Sequence, residues 1–202
     1  GGIAGVVSFN IFLLIYYSLY SKILYEYIFI CNLMFLIGFL DDFKINISPF
    51  KRLLLMIIFL FFSIYFLPIK ILNIDIFFLS SLLQINIFSS FFVLLCFLFI
   101  INGANLIDGF NGLLTINLII INIVLLYINF SSGNVEFSIF LIAQITILLC
   151  FLLFNFPNAK IFLGDSGSYL MGSLVALNTI MTNNLNPNYS SFFFCIFLFY
   201  LF

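Results

Sequence analysis

Histidine and tryptophan are absent from this 202-residue chain, and charge is scarce, with six basic and seven acidic side chains in all. Without histidine, a Ser-His-Asp triad has no base, and the usual mixed zinc sites lose a ligand type. The four cysteines (Cys31, Cys96, Cys150 and Cys195) stand singly inside apolar runs, none at metal-ligand spacing. They read as small buried apolar residues. A net charge of −1 gives no basic field to hold nucleic acid. Soluble domains carry about a quarter charged residues; this chain has 6% charged and 65% hydrophobic residues. The reading is an all-α integral membrane protein. The 32 phenylalanines fit a drift toward Phe, Ile and Asn, not a binding signature. The chain starts Gly1-Gly2 and stops within an apolar run at Phe202, so one membrane domain truncated at both ends is expected. Nothing ahead of the first span reads as a signal peptide.

A helix needs about 20 mainly apolar residues to cross a bilayer. Eight spans are expected, roughly at 3–20, 27–40, 53–68, 87–101, 113–130, 136–154, 169–182 and 189–202. All must be helices, because lipid offers the backbone no hydrogen-bond partner. Pro49 argues against a helix through Ser48, so a loop of about ten residues follows Asp41-Asp42. Pro68 closes the third span. Residues 69–86, with imperfect alternation in IKILNID, suggest a short strand or hairpin on the outer face, with a re-entrant or interfacial helix as the alternative.

The stretch Asn102–Leu113, NGANLIDGFNGL, interrupts two apolar runs. Its polar residues Asn102, Asn105 and Asp108 recur every third position, a drift of roughly 60° per step on a helix. A turn at a helix end, with side chains fanning into a shared pocket, fits better than a straight stripe. An aspartate between apolar helices is costly and tends to be functional.

Crossings sort the charges. Two spans separate Asp42 from Asp108, and two more separate Asp108 from Asp165. Asp41, Asp42, Asp108 and Asp165 therefore share one face, while Glu26, Asp75 and Glu136 lie opposite. Lys44, Lys51, Arg52 and Lys160 fall with the aspartates; Lys22 and Lys70 do not. The positive-inside rule assigns the aspartate face to the cytoplasm. Carboxylates from separate segments suit Mg²⁺, which takes oxygen ligands and completes its shell with water and substrate phosphate. Nearby cations suit a diphosphate, and metal and cations together would stabilise phosphoryl transfer. Gly164-Asp165-Ser166-Gly167-Ser168 precedes a span. Ser166 or Ser168 is a candidate N-cap there, and free N–H groups could receive phosphate.

Three motifs in order resemble the polyprenyl-phosphate N-acetylhexosamine-1-phosphate transferases. They are GFLDDF (Gly38–Phe43) with Lys51 ten residues beyond Asp41, NGANLIDGFNGL, and NFPNAKIFLGDSGSYLMG (Asn155–Gly172). The opening GGIA also resembles a family segment, on the matching face. The resemblance implies transfer of N-acetylhexosamine-1-phosphate from a UDP-sugar to polyprenyl (undecaprenyl) phosphate at the inner membrane, with release of UMP. A plain N-acetylhexosamine donor is expected over the muramoyl-pentapeptide one. Asp41, Asp42 and Lys51 would be catalytic. Asp165 and Asp108 would hold Mg²⁺ or Mn²⁺. Asn105, Asp108, Asn111, Asn155 and Phe162 would line the nucleotide pocket, with Phe162 stacking on uracil. A homodimer is left open.

The chain departs from the family pattern in three places. Asn111 stands where many members carry aspartate. Pro157-Asn158-Ala159 shifts a bend by one residue. The family's first span and its histidine-bearing late loop have no counterpart here, so the 202 residues alone are expected to be inactive. Two other classes of membrane protein make different demands. A transporter or channel would spread acids along a pore, and an intramembrane aspartyl protease would face two aspartates within the spans.

Overall fold

The computed structural model describes residues 1–43, 47–67, 69–72 and 74–199. Lys44, assigned from sequence to the aspartate face, and Pro68, assigned to close the third span, lie outside the described residues, as do the last three positions of the eighth span. The described helices run in chain order as α1 (Gly2–Tyr20), α2 (Tyr25–Asp42), α3 (Pro49–Phe66), α4 (Phe77–Leu83), α5 (Asn86–Ile107), α6 (Leu113–Ser131), α7 (Val135–Asn155), α8 (Gly164–Leu185) and α9 (Ser191–Phe199). The protein is an all-α polytopic membrane protein.

Each expected span overlaps a described helix, the eighth only through the nine residues of α9. Five of them (α1, α3, α5, α6 and α7) are long and apolar enough to cross a membrane on those grounds alone. The expected hairpin at 69–86 is corrected: among the described residues this stretch holds the short helix α4 and no strand. Phe77–Leu83 is a run of Phe, Leu and Ser without Gly, Pro, Asn or Asp, and a lone hairpin is marginal without a third strand to pair with. The third helix also begins earlier than expected. Ser48 is extended (φ −60°, ψ 148°) and Pro49 opens α3, the position where a missing N–H costs nothing. Lys51 and Arg52 therefore stand in the first turns of a helix, not in a loop.

The helix at the centre is α8, which packs on α1, α2, α5 and α6. Every residue from Ser166 to Thr179 is buried. Neighbours on all sides relieve α8 of facing lipid, which is why it can carry so many Ser, Thr and Asn side chains. Those polar groups are paired. Asn178 Nδ2 donates to Asn122 Oδ1 (2.9 Å) and Gln144 Oε1 (2.6 Å), and Tyr27 OH donates to Asn178 Oδ1 (3.0 Å). Four helices (α2, α6, α7 and α8) are thereby pinned in one register. Unsatisfied polar groups in such a place cost several kcal/mol by transfer scales.

Gly38 lets α2 and α8 touch. A Cβ there would stand 2.5 Å from Asp165 C and Ser166 N. This close approach brings the end of α2 against the start of α8, which is where the motif residues meet.

Opposite charges mark the other end of the bundle. Lys22 Nζ pairs with Glu136 Oε2 (2.5 Å), Tyr16 OH donates to Glu136 Oε1 (2.6 Å), and Asp75 accepts from Ser191 N (3.0 Å). All seven acidic residues lie at helix ends or in connections, sorted as the crossing count requires.

Candidate active site

The carboxyl end of α2 delivers two adjacent aspartates with different surroundings. Asp42 reaches the start of α8. Its Oδ1 accepts from Asp165 N (2.9 Å), and its Oδ2 accepts from Ser166 N (3.1 Å) and Ser166 Oγ (2.5 Å). It caps α8 from outside that helix, filling orphan donors of the first turn. Those N–H groups are therefore not free for phosphate, and Ser166 spends its hydroxyl on Asp42. Ser168 Oγ donates to Asn105 Oδ1 (2.8 Å) and lies 3.2 Å from Asp165 O. Gly164 permits the turn into α8: its φ is +71°, and a Cβ would stand 2.8 Å from Asp42 Oδ2. That left-handed conformation favours glycine.

Asp41 points to Arg52. Arg52 Nη1 donates to Asp41 Oδ2 and to Asp165 Oδ2 (2.7 Å for the latter). The guanidinium carbon also lies 5.8 Å from the centre of the Tyr169 ring, within cation–π range. One cation from α3 thus joins carboxylates from α2 and α8. Lys51, expected from sequence to carry the contact, is exposed and makes no ion pair among the described residues. The signal for Arg52 was available: with Pro49 fixing the helix start, neighbouring residues 51 and 52 point about 100° apart. Only one of them can face the aspartates.

The central motif ends a helix, as expected, but later than its polar spacing implied. Asn102 and Asn105 lie within α5, and Asp108 caps it. Asn102 Nδ2 bonds back to Leu98 O (2.7 Å), so it does not join the cluster. Asp108 is half-buried; its backbone N–H donates to Ala104 O (3.2 Å), while its carboxylate makes no hydrogen bond or ion pair among the described residues. Burial, reinforced by the nearby carboxylates of Asp165 and Asp42, pushes it up to about 7.

Asn155, buried at the end of α7, brackets two segments. Its Oδ1 accepts from Gly112 N (2.7 Å), and its Nδ2 donates to Ile161 O (2.8 Å). Exposed Asn111 donates from Nδ2 to Pro157 O (3.1 Å). These bonds tie the central motif to the loop that carries Phe162, whose ring is 62% exposed and open to a flat partner.

The donor set suits a hard dication. It is all oxygen, and Asp108 is an unpartnered carboxylate beside two others, a repulsion that a cation would relieve. Among the described residues no three acid, cysteine or histidine groups are arranged to hold a metal. The guanidinium of Arg52 stands between two of the candidates.

An aspartyl protease needs two aspartates facing each other within the spans; Asp41 and Asp165 lie at the end of α2 and the start of α8 and share Arg52. An ion path would spread acids through the bundle; these four gather at one end.

An α-helical membrane bundle with carboxylates converging at one end is the class of protein that this fold and site define. The chain belongs to glycosyl transferase family 4, whose family model matches residues 24–183. Curated relatives include a phospho-N-acetylmuramoyl-pentapeptide-transferase from Streptococcus thermophilus, 34% identical over 154 residues, covering 72% of this chain and 45% of that protein. One of the same name from Clostridium perfringens is 34% identical over 149 residues, covering 70% and 47%. A third, from Streptococcus agalactiae, is 32% identical over 154 residues, covering 72% and 45%. The chain spans a little under half the length of these relatives.

Proposed function

We propose that the complete protein transfers a phospho-sugar from a UDP-linked N-acetylhexosamine to polyprenyl phosphate and releases UMP. The observation that carries this reading is the gathering of Asp41, Asp42, Asp108 and Asp165 at one end of the bundle, with Arg52 bridging Asp41 and Asp165, in a chain of this family. A phosphate oxygen of the lipid attacks the sugar-bearing phosphorus of the UDP-sugar. The bond from that phosphorus to the bridging oxygen breaks, and UMP leaves with the oxygen.

The lipid phosphate is already ionised near neutral pH. Alignment and charge neutralisation therefore matter more than a base. Asp41 orients the incoming phosphate. Asp42 works at one remove, fixing the start of α8 and with it Asp165. Asp108 and Asp165 would hold Mg²⁺, which when bound offsets the charge of the diphosphate; Mn²⁺ offers the same chemistry. Lys51, exposed beside the cluster, draws in the anionic substrate. Asn105, Asn111 and Asn155 shape the pocket, and Phe162 offers its face to uracil.

The aspartate end faces the cytoplasm of a plasma (inner) membrane, on the modest surplus of basic residues there. The relatives' names point to the muramoyl-pentapeptide form of the donor. The motif likeness points to a plain N-acetylhexosamine, as in the opening steps of lipopolysaccharide or teichoic acid synthesis. Both are N-acetylhexosamines on UDP. An exchange assay on the full-length protein separates them: UDP-GlcNAc, UDP-GalNAc and UDP-MurNAc-pentapeptide are each offered with undecaprenyl phosphate, and labelled UMP is followed. Metal-dependent exchange with one donor supports the proposal, and exchange with none refutes it.

A further inference from the structure

Arg52 is an odd residue to find at its position. A cation near a helix N-terminus opposes the helix dipole, yet Arg52 sits at the fourth residue of α3 and points into the cluster. It is the side-chain cation shared by Asp41 and Asp165, and it touches both through one nitrogen, Nη1. A planar guanidinium has five N–H donors. Most of the fork is therefore not spent on these carboxylates. The flat group lies over Tyr169, a ring only 1% exposed and so fixed in place. The Arg52 side chain itself is 21% exposed, reachable from the aqueous end of the bundle. It is a cation with spare donors, seated on a rigid platform, between two of the carboxylates that a metal would use.

Building on the transferase reading, we propose that Arg52 is a resident counter-cation that competes with the metal for Asp165 and, once displaced, stays on Tyr169 and grips the diphosphate. In the substrate-free protein the guanidinium holds Asp41 and Asp165 together and keeps their charges from driving α2 and α8 apart. When metal and nucleotide arrive together, the incoming dication takes over Asp165. The freed Nη1 joins the unused donors of the fork, facing an anion that suits bidentate recognition. Metal and nucleotide binding are thereby coupled: metal alone must oust a paired arginine, whereas metal with diphosphate offers that arginine a new partner.

The test needs no turnover. The full-length protein in detergent is titrated with Mn²⁺ alone, followed by electron paramagnetic resonance, and then with UDP at saturating Mn²⁺, followed by calorimetry. Arg52→Gln should bind Mn²⁺ about tenfold more tightly than the wild type without nucleotide, and UDP about tenfold more weakly. That is the scale of one charge-assisted hydrogen bond. Arg52→Lys, which keeps the charge and guards against a misfolded glutamine variant, should bind Mn²⁺ as the wild type does and UDP several-fold more weakly, because an ammonium has no fork. Unchanged Mn²⁺ and UDP affinities in the variants would make Arg52 a structural ion pair and overturn this inference, while leaving the transferase reading intact. A wild-type protein that binds neither probe would remove both.

Discussion

Asp42 and Ser166 are 124 residues apart in sequence and are joined by two hydrogen bonds, Ser166 N and Oγ both donating to Asp42 Oδ2. With the third bond, from Asp165 N to Oδ1, this carboxylate is fully engaged in holding the first turn of α8. The neighbouring Asp41 has no such duty and faces Arg52. Two adjacent aspartates of the motif are thus separated into one that holds the start of α8 and one that pairs with Arg52.

The first prediction follows from that division. Asp42→Ala should lower stability by about 1 kcal/mol, the usual worth of a helix cap, and Ser166→Ala should lower it by less. Asp41→Ala should leave the melting temperature closer to wild type, since it removes an ion pair that is partly exposed. Thermal melts of the three variants in detergent, without metal, give the ranking. An Asp42→Ala variant as stable as wild type would contradict the capping role.

Asp108 supplies a pH dependence. Its carboxyl is raised from 3.8 to about 7, so the folded protein holds that proton more firmly than the unfolded chain does. Its protonation adds stability that is fully present below about 3.8 and is lost as pH rises through about 7. The metal-free protein should therefore melt at a lower temperature at pH 8 than at pH 6. Metal binding has the opposite sign, because the ligand is the ionised form: Mn²⁺ affinity should weaken as pH falls from 8 to 6. Asp108→Asn should weaken both dependences across that window, and dependences as steep as those of the wild type in the variant would contradict the role of Asp108.

The buried polar cluster around Asn178 should affect folding and not chemistry. Asn178 is 13 residues beyond Asp165 along α8, or roughly 20 Å at the helical rise. Asn178→Leu leaves Tyr27, Asn122 and Gln144 short of partners and should cost about 1–3 kcal/mol. Melting temperature should drop, while KM for the nucleotide sugar, measured well below the melt, should hold. A changed KM with an unchanged melt would contradict this assignment.

The crossing pattern can be checked chemically. In a background with all four native cysteines replaced, Ser48→Cys and Phe162→Cys should react with a membrane-impermeant thiol reagent from the cytoplasmic side only. Lys22→Cys should react only from the other side. Labelling of Ser48→Cys and Phe162→Cys from opposite sides would break the shared face.

Much of this architecture was legible in the sequence. The apolar runs are long, and helices are what a lipid solvent allows, so an all-α polytopic membrane bundle, with five helices long and apolar enough to cross, and the sorting of the seven acidic residues followed from counting. The central helix was the least visible as a span, since α8 owes its polar composition to enclosure by other helices, a property of the assembled bundle. The stretch 69–86 misled because weak alternation in a short segment serves a strand and an interfacial helix equally well. The individual roles of the two adjacent aspartates were also out of reach. Which of Asp41 and Asp42 meets α8, and which of Lys51 and Arg52 meets Asp41, depends on the contact of α2 with α8 at Gly38 and on where α3 begins. Both are decided by packing between segments far apart in the chain.

The most direct test of the central claim is metal-dependent UMP release by the full-length protein carrying Asp165→Asn, measured beside wild type at saturating UDP-sugar, polyprenyl phosphate and Mg²⁺. If Asp165 holds the metal that carries the diphosphate, release should fall by at least a hundredfold in a variant that still melts cooperatively. Turnover near the wild-type rate would contradict the account.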